Sequence, residues 1–234
     1  MNKKTTSRLL FAASALLAAT TASAFDNKSV SNADEYQAKV INGCVLEPGT
    51  KCPGADLRGA DLSHLDLRKS DFTGADLRGA DFRHSNLDQA KMNQAQMQGA
   101  NFTRASMQQT SVVGANASRA LFIGLSGWNF TAQGANFEAA DFTGASLDFA
   151  RFSAAKMQNV ILRGANLEMA WLPKANLMGA DMRDANMQEV KMSLANLDSA
   201  DMTGALLVYG TFLDMNMENC KGCPVNWAVK IGGK

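Results

Sequence analysis

Residues 55–89 read ADLRG ADLSH LDLRK SDFTG ADLRG ADFRH SNLDQ, a phrase of five residues repeated without a gap. Taking the large apolar residue of each phrase as its centre, centres fall at Leu57, Leu62, Leu67, Phe72, Leu77, Phe82 and Leu87, and the frame then holds to Met217. Of the 33 centres between Leu57 and Met217, 29 are Leu, Phe or Met, and 23 of the residues two places before a centre are Ala. Internal repeats outrank any local propensity as a guide to architecture. A period of five matches neither the 3.6 of a helix nor the 2 of a strand, so neither simple element explains it.

A wound chain does. If each phrase makes one short side and one corner, the centre and the small residue two before it point inward and the other three point out. Four phrases to a turn give a coil of 20 residues. Coils stacked by backbone hydrogen bonds about 4.8 Å apart make roughly eight coils and a rod of about 40 Å. Periodicity alone also permits a three-sided coil.

The A-[D/N]-[L/F]-x-x pattern resembles that of the pentapeptide-repeat family, and the resemblance spans residues 53–219. It implies an all-β fold, a right-handed quadrilateral β-helix, in which sidedness and handedness come from the family. The Asp or Asn before each centre (Asp56, Asp61, Asp66, Asp71, Asp76, Asp81) reads as corner chemistry, since short polar side chains bond nearby backbone at turns. Arg58, Arg68, Arg78 and Arg83, two residues later, compensate the charge.

The two ends differ from the repeats. Residues 1–24 read as a signal peptide, with a basic start (Lys3, Lys4, Arg8), an apolar run from Leu9 to Ala19 and the small-residue site Ala22-Ser23-Ala24. That apolar run is too short to span a membrane comfortably, so no membrane insertion is expected after cleavage, and the location implied is periplasmic or secreted. Removal leaves 20 basic and 22 acidic residues, a balance that suggests no nucleic acid. Residues 25–52 read as an N-terminal cap, with a short helix over 32–42 that starts near Ser31 to Glu35 and stops at Gly43. Stacked coils expose unpaired strand edges unless something covers them.

Four cysteines suit an oxidising compartment and allow three pairings. Cys44 and Cys52 precede the repeats, whereas Cys220 and Cys223 open a tail at 220–234. The rod holds these pairs apart by far more than the roughly 7 Å between Cα atoms that a disulfide tolerates. Local clips, Cys44–Cys52 and Cys220–Cys223, are therefore expected. Cys220-Lys221-Gly222-Cys223 lacks the βαβ setting of a redox dithiol.

Between 112 and 133 the pattern frays. Centres become Val112, Ala117, Phe122, Gly127 and Ala132, and Leu125 and Phe130 stand in small-residue slots. Small centres would leave voids costing about 1 kcal/mol or more each. The expectation is a bulge or loop around 123–133 in which Leu125, Phe130 or Trp128 swings in, making Ile123, Trp128 and Phe130 a candidate binding loop.

No nucleophile and base can be assembled, and no cofactor is implied. His64 and His84 share an outward slot on adjacent coils, a weak metal candidate without a third ligand. Nine of the 13 methionines are centres and read as core. On the four-sided frame Phe149, Met169 and Tyr209 form one outward column, with Trp171 across the corner and Leu194, Val208 and Leu213 nearby. Clustered exposed apolar residues suggest a contact surface for an unidentified protein partner or a homodimer. The sequence thus reads as a non-enzymatic extracytoplasmic binding or scaffold protein. The alternative implied by one family branch is a DNA-mimicking, topoisomerase-binding protein of the quinolone-resistance type, which the export signal and interleaved arginines oppose.

Overall fold

The computed structural model describes residues 38–224. The signal segment 1–24, the start of the cap and the end of the tail lie outside the described residues. Thirty-one parallel bridges run without a gap from Lys51↔Asp71 to Asp201↔Lys221, every one joining residues 20 apart. Four five-residue phrases therefore make one coil, which excludes the three-sided alternative.

Each backbone amide of a phrase has its own destination, and backbone polar groups in a packed protein must be accounted for in this way. In the phrase Asp76–Ala80 the Asp76 N–H donates to the Ala55 carbonyl of the preceding coil at 2.9 Å. The Leu77 N–H donates to Gln96 at 2.7 Å and the Gly79 N–H to Gln98 at 3.0 Å, both on the following coil, and the Ala80 N–H closes the turn onto Leu77 at 3.0 Å. The third amide, Arg78 N–H, is left over, and the Asp76 side chain accepts it at 3.3 Å. All 18 Asp and Asn residues at the first position accept the amide two residues on, from Asp56 and Arg58 to Asn216 and Glu218. The recurrent acid or amide is therefore the group that completes the hydrogen-bond account of the corner.

Two corners with serine in that position complete the account differently. Asp88 Oδ1 accepts both the Ser106 hydroxyl at 2.6 Å and the Gln108 N–H at 2.9 Å from the next coil. Asn93 does the same for Ser111 and Val113.

The fourth residue of the phrase is the strained one. All 35 fourth positions from Gly49 to Asn219 have φ between +51° and +77°, and 22 of them are not glycine. With the turn closed onto the centre, this is a type II arrangement. Each non-glycine there costs about 1–2 kcal/mol, which the ladder on both sides outweighs.

Inward residues form one continuous apolar core from Leu46 to Phe212. On one side of the coil Phe82, Phe102, Phe122 and Phe142 stack with centroids 4.7, 4.9 and 4.4 Å apart. No helix long and apolar enough to cross a membrane is found among the described residues.

Two expectations are overturned. The helix over 32–42 is absent over its described part. Residues 39–46 instead form a hairpin of strands β1 (Lys39–Ile41) and β2 (Cys44–Leu46), antiparallel with Ile41 opposite Cys44. Its two-residue loop, Asn42-Gly43, has φ +49° and +81°, the double left-handed pair that a tight hairpin requires. The hairpin covers the first coil. Asn42 Nδ2 donates to the Asp56 carbonyl at 2.7 Å and Lys39 Nζ donates to the Asp61 carbonyl, both groups that a preceding coil would otherwise satisfy.

The irregularity expected over 112–133 is likewise absent. Bridges Ser111↔Thr131, Asn116↔Asn136, Leu121↔Asp141 and Ser126↔Ser146 keep the frame intact, so no loop or bulge exists there. Volume is exchanged between inward slots instead. Leu125 and Phe130 point in from small-residue positions and are fully buried. A Cβ built on Gly127 would meet Leu147 at 3.1 Å and Leu125 at 3.3 Å, so the space it vacates is already filled.

Arginines neutralise the corner carboxylates directly: Arg58 on Asp56 (2.6 Å), Arg68 on Asp66 (2.7 Å), Arg78 on Asp76 (2.5 Å) and Arg83 on Asp81 (2.6 Å). Arg163 and Arg183 share Asp181, each at 2.6 Å. The Arg58 guanidinium, followed by its own backbone N–H, holds Asp56 at about 2. Hydrogen bonding from Arg78, Arg83 and Arg183 lowers Asp76, Asp81 and Asp181 in the same way. A carboxylate lowered on folding stabilises fully above its unfolded value, about 3.9, and that contribution is lost as pH falls through the folded value. The urea midpoint should thus hold from pH 7 to about pH 5 and fall between about pH 4 and pH 2. An equal midpoint at pH 5 and pH 2.5 would contradict this account of the corners.

Candidate functional site

The surface columns follow from the frame. Residues 20 apart sit one above another, and residues 21 apart sit one slot over on the next coil. Trp128, a third-position residue, and Phe149, a fourth-position one, are 21 apart and meet edge to face with centroids 6.3 Å apart. Met169 stacks above Phe149 in the column. Across the corner Arg151 and Trp171 occupy successive first positions, bridged at Arg151↔Trp171.

Together Trp128, Asn129, Phe149, Arg151, Met169 and Trp171 line a groove of about 260 Å³. A second depression continues round Trp171 to Gln133 and Ser153. Lys191 Nζ lies 5.2 Å from the centre of the Trp171 ring, a cation on its face. Half of the Trp171 surface remains open to solvent (49%). Because every rung beneath these side chains is fixed by the ladder, their spacing is fixed too. The groove offers apolar surface with the Arg151 guanidinium and the Asn129 amide beside it.

The structure redistributes the residues singled out from sequence. Phe149, Met169 and Trp171 come together as the frame implies. Trp128 joins them instead of belonging to a loop, Phe130 lies wholly in the core, and Ile123 is half-buried on a different corner. Leu194, Val208, Tyr209 and Leu213 are exposed nearer the C-terminal end and do not line the groove. Asn129 and Arg151 were missed, although the 20-residue column places Asn129 directly below Phe149 and Arg151 directly below Trp171.

His64 and His84 stack face to face with centroids 5.0 Å apart and 11° between planes. No group of three or more His, Cys, Asp or Glu among the described residues could hold a metal. The structure joins Cys44 to Cys52 and Cys220 to Cys223, with Cα atoms 5.7 and 5.8 Å apart.

Comparison with known proteins agrees with this geometry. A family pattern described as Pentapeptide repeats matches in 8 copies over residues 50–89, 80–119, 129–159 and 161–198, more than half of the chain. The match lapses between 119 and 129, where Gly127 stands in a centre slot. Among solved structures, HetL, a pentapeptide repeat protein involved in heterocyst differentiation regulation from the cyanobacterium Nostoc sp. strain PCC 7120, is 28% identical with a TM-score of 0.50, over 73% of this chain and 86% of that one. QnrB1, a plasmid-mediated fluoroquinolone resistance protein, is 19% identical with a TM-score of 0.43, over 73% of this chain and 87% of that one. No curated protein matches. The uninterrupted 20-residue ladder and the repeat pattern carry one conclusion: this chain belongs to the pentapeptide-repeat family.

Proposed function

We infer that the protein is a non-enzymatic extracytoplasmic binding or scaffold protein, and that it presents the rigid corner bearing Trp128, Phe149, Met169 and Trp171 to a protein partner. The observation that carries this reading is the convergence of four large apolar side chains, Trp128, Phe149, Met169 and Trp171, on one solvent-open groove. Interfaces concentrate their energy in aromatic and arginine side chains, and this groove holds both kinds. The family, whose members are generally structural or binding proteins, supports the same choice. Export rests on the signal-like segment at residues 1–24 and on the two cysteine clips. Against a DNA-mimicking role stand the carboxylates at Asp56, Asp66, Asp76, Asp81 and Asp181, each paired with arginine, since a mimic of DNA needs an uncompensated negative field.

Fractionation of tagged full-length protein should place it outside the cytoplasm, and cytoplasmic retention would remove the extracytoplasmic half of the proposal. A pull-down from the exported fraction with mature protein should then enrich a partner that Trp171→Asp loses at least tenfold, while Asp184→Ala on another corner retains it. Equal recovery by all three proteins would remove the groove from the proposal. If size-exclusion chromatography shows Trp171→Asp converting a dimer to monomer, the partner is a second copy.

A further inference from the structure

The corner that holds the groove carries a charge pattern along its length. On each rung a third-position and a first-position residue flank the fourth-position residue at the apex, as Asp148 and Arg151 flank Phe149. Three rungs of this corner are charged on both flanks, Arg68/Asp71, Asp88/Lys91 and Asp148/Arg151, and in each the two signs are opposite. Among the described residues no rung there has like charges on its flanks. The diagonally opposite corner differs, with like-charged rungs at Glu138/Asp141 and Asp198/Asp201.

Two of those rungs have no ion pair of their own. Neither Lys91 nor Arg151 forms one among the described residues, unlike the arginines on Asp56, Asp66, Asp76 and Asp81. Both are exposed. Asp88 accepts from neutral groups, the Ser106 hydroxyl and the Gln108 N–H. Asp148 likewise accepts from the Ser146 hydroxyl at 3.2 Å and from the Asn166 side-chain amide. At the apex Gln89, Gln109, Asn129, Phe149 and Met169 carry no charge. Lys69 and Glu189 do, and each shares its rung with an opposite first-position charge, Asp71 and Lys191.

We propose that the groove's partner is a second copy of this chain, with the two coils side by side and parallel about a twofold axis along their length. This rests on the reading of the groove as a protein-docking face. Such an axis sets the third-position flank of one copy against the first-position flank of the other, rung by rung. Asp148 then faces Arg151 of the second copy and Asp88 faces Lys91, each contact occurring twice. Phe149 and Met169 meet their own counterparts between the charged rungs, which covers the apolar surface left open in a single chain. An antiparallel pair instead sets each flank against itself, bringing Asp148 towards Asp148 or Glu168, and like charges brought together oppose association.

Sedimentation of the mature protein at about 100 µM, above the micromolar range of weak interfaces, should show a dimer. Arg151→Glu should raise its dissociation constant at least tenfold, and Lys91→Glu, three coils below, at least threefold. An unchanged melting temperature for each shows that the coil itself is intact. Gln109→Cys and Glu189→Cys, two coils to either side of Phe149, should each cross-link to itself on mild oxidation. Antiparallel pairing about Phe149 would separate like positions by four coils, about 19 Å, and cross-link only a mixture of the two variants. A monomer at that concentration would overturn this inference and leave the pull-down with Trp171→Asp to decide whether the groove binds another protein. A dimer indifferent to either charge reversal, or cross-linking confined to the mixture, would overturn it as well.

Discussion

Phe122→Ala should destabilise the coil by about 3–5 kcal/mol, the range for removing a buried phenylalanine without compensation. Phe122 is fully buried between Phe102 and Phe142, at 4.9 and 4.4 Å, with the edge of Phe137 5.8 Å away. The void cannot collapse, because the backbone on either side is held at ladder spacing by Phe102 N–H to Leu121 (2.6 Å) and Phe122 N–H to Asp141 (2.7 Å). Urea unfolding followed by circular dichroism measures the loss, with Phe122→Leu as a milder control. A loss under about 1 kcal/mol would mean that the column relaxes and that the rungs are softer than described. Stability in stacked repeats is local to a unit and its neighbours, so amides of the coils containing Phe102 and Phe142 should lose protection before those near Leu57.

The second large effect belongs to the N-terminal clip. Replacing both Cys44 and Cys52 by alanine should cost about 2–3 kcal/mol, from the loop-closure entropy of a cross-link between residues eight apart. Both cysteines are buried against the first coil, so the hairpin β1–β2 should peel away and free the Asp56 and Asp61 carbonyls that Asn42 and Lys39 occupy. Thermal melts should show the wild type shifted down by reductant and the double variant, which keeps only the Cys220–Cys223 clip, shifted much less. If the reduced wild type, with its thiols confirmed by alkylation, melts unchanged, the clip contributes nothing to stability.

The parts of this molecule legible in the sequence are those repeated many times. A centre, a small residue and an Asp or Asn recur at fixed offsets, so accidents in single phrases average out. The hairpin occurs once. Ser31 to Glu35 carries the composition of a helix start and Gly43 that of its stop, whereas Asn42-Gly43 is also the strongest short signal for a tight hairpin turn. Between 112 and 133 the inward turn of Leu125 and Phe130 was legible, and the error was to expect that it needs a bulge or loop in the backbone. Two inward slots share that volume, so Leu125 and Phe130 offset Gly127 and Ala132 with no change of backbone path. The groove was half legible: straight columns hold Phe149 with Met169 and Arg151 with Trp171, but the diagonal offset that brings in Trp128 was not followed.

The 20-residue coil makes this surface sensitive to length in an unusual way. Excising one whole coil between Phe149 and Tyr209 would shorten the protein by a rung and leave every later side chain pointing in its former direction. Excising a single phrase would keep the interior filled but swing everything downstream by a quarter turn, carrying Tyr209 to a different edge from Phe149. Insertions and deletions in such a chain act as rotations, and only multiples of four phrases preserve a binding face built from several turns.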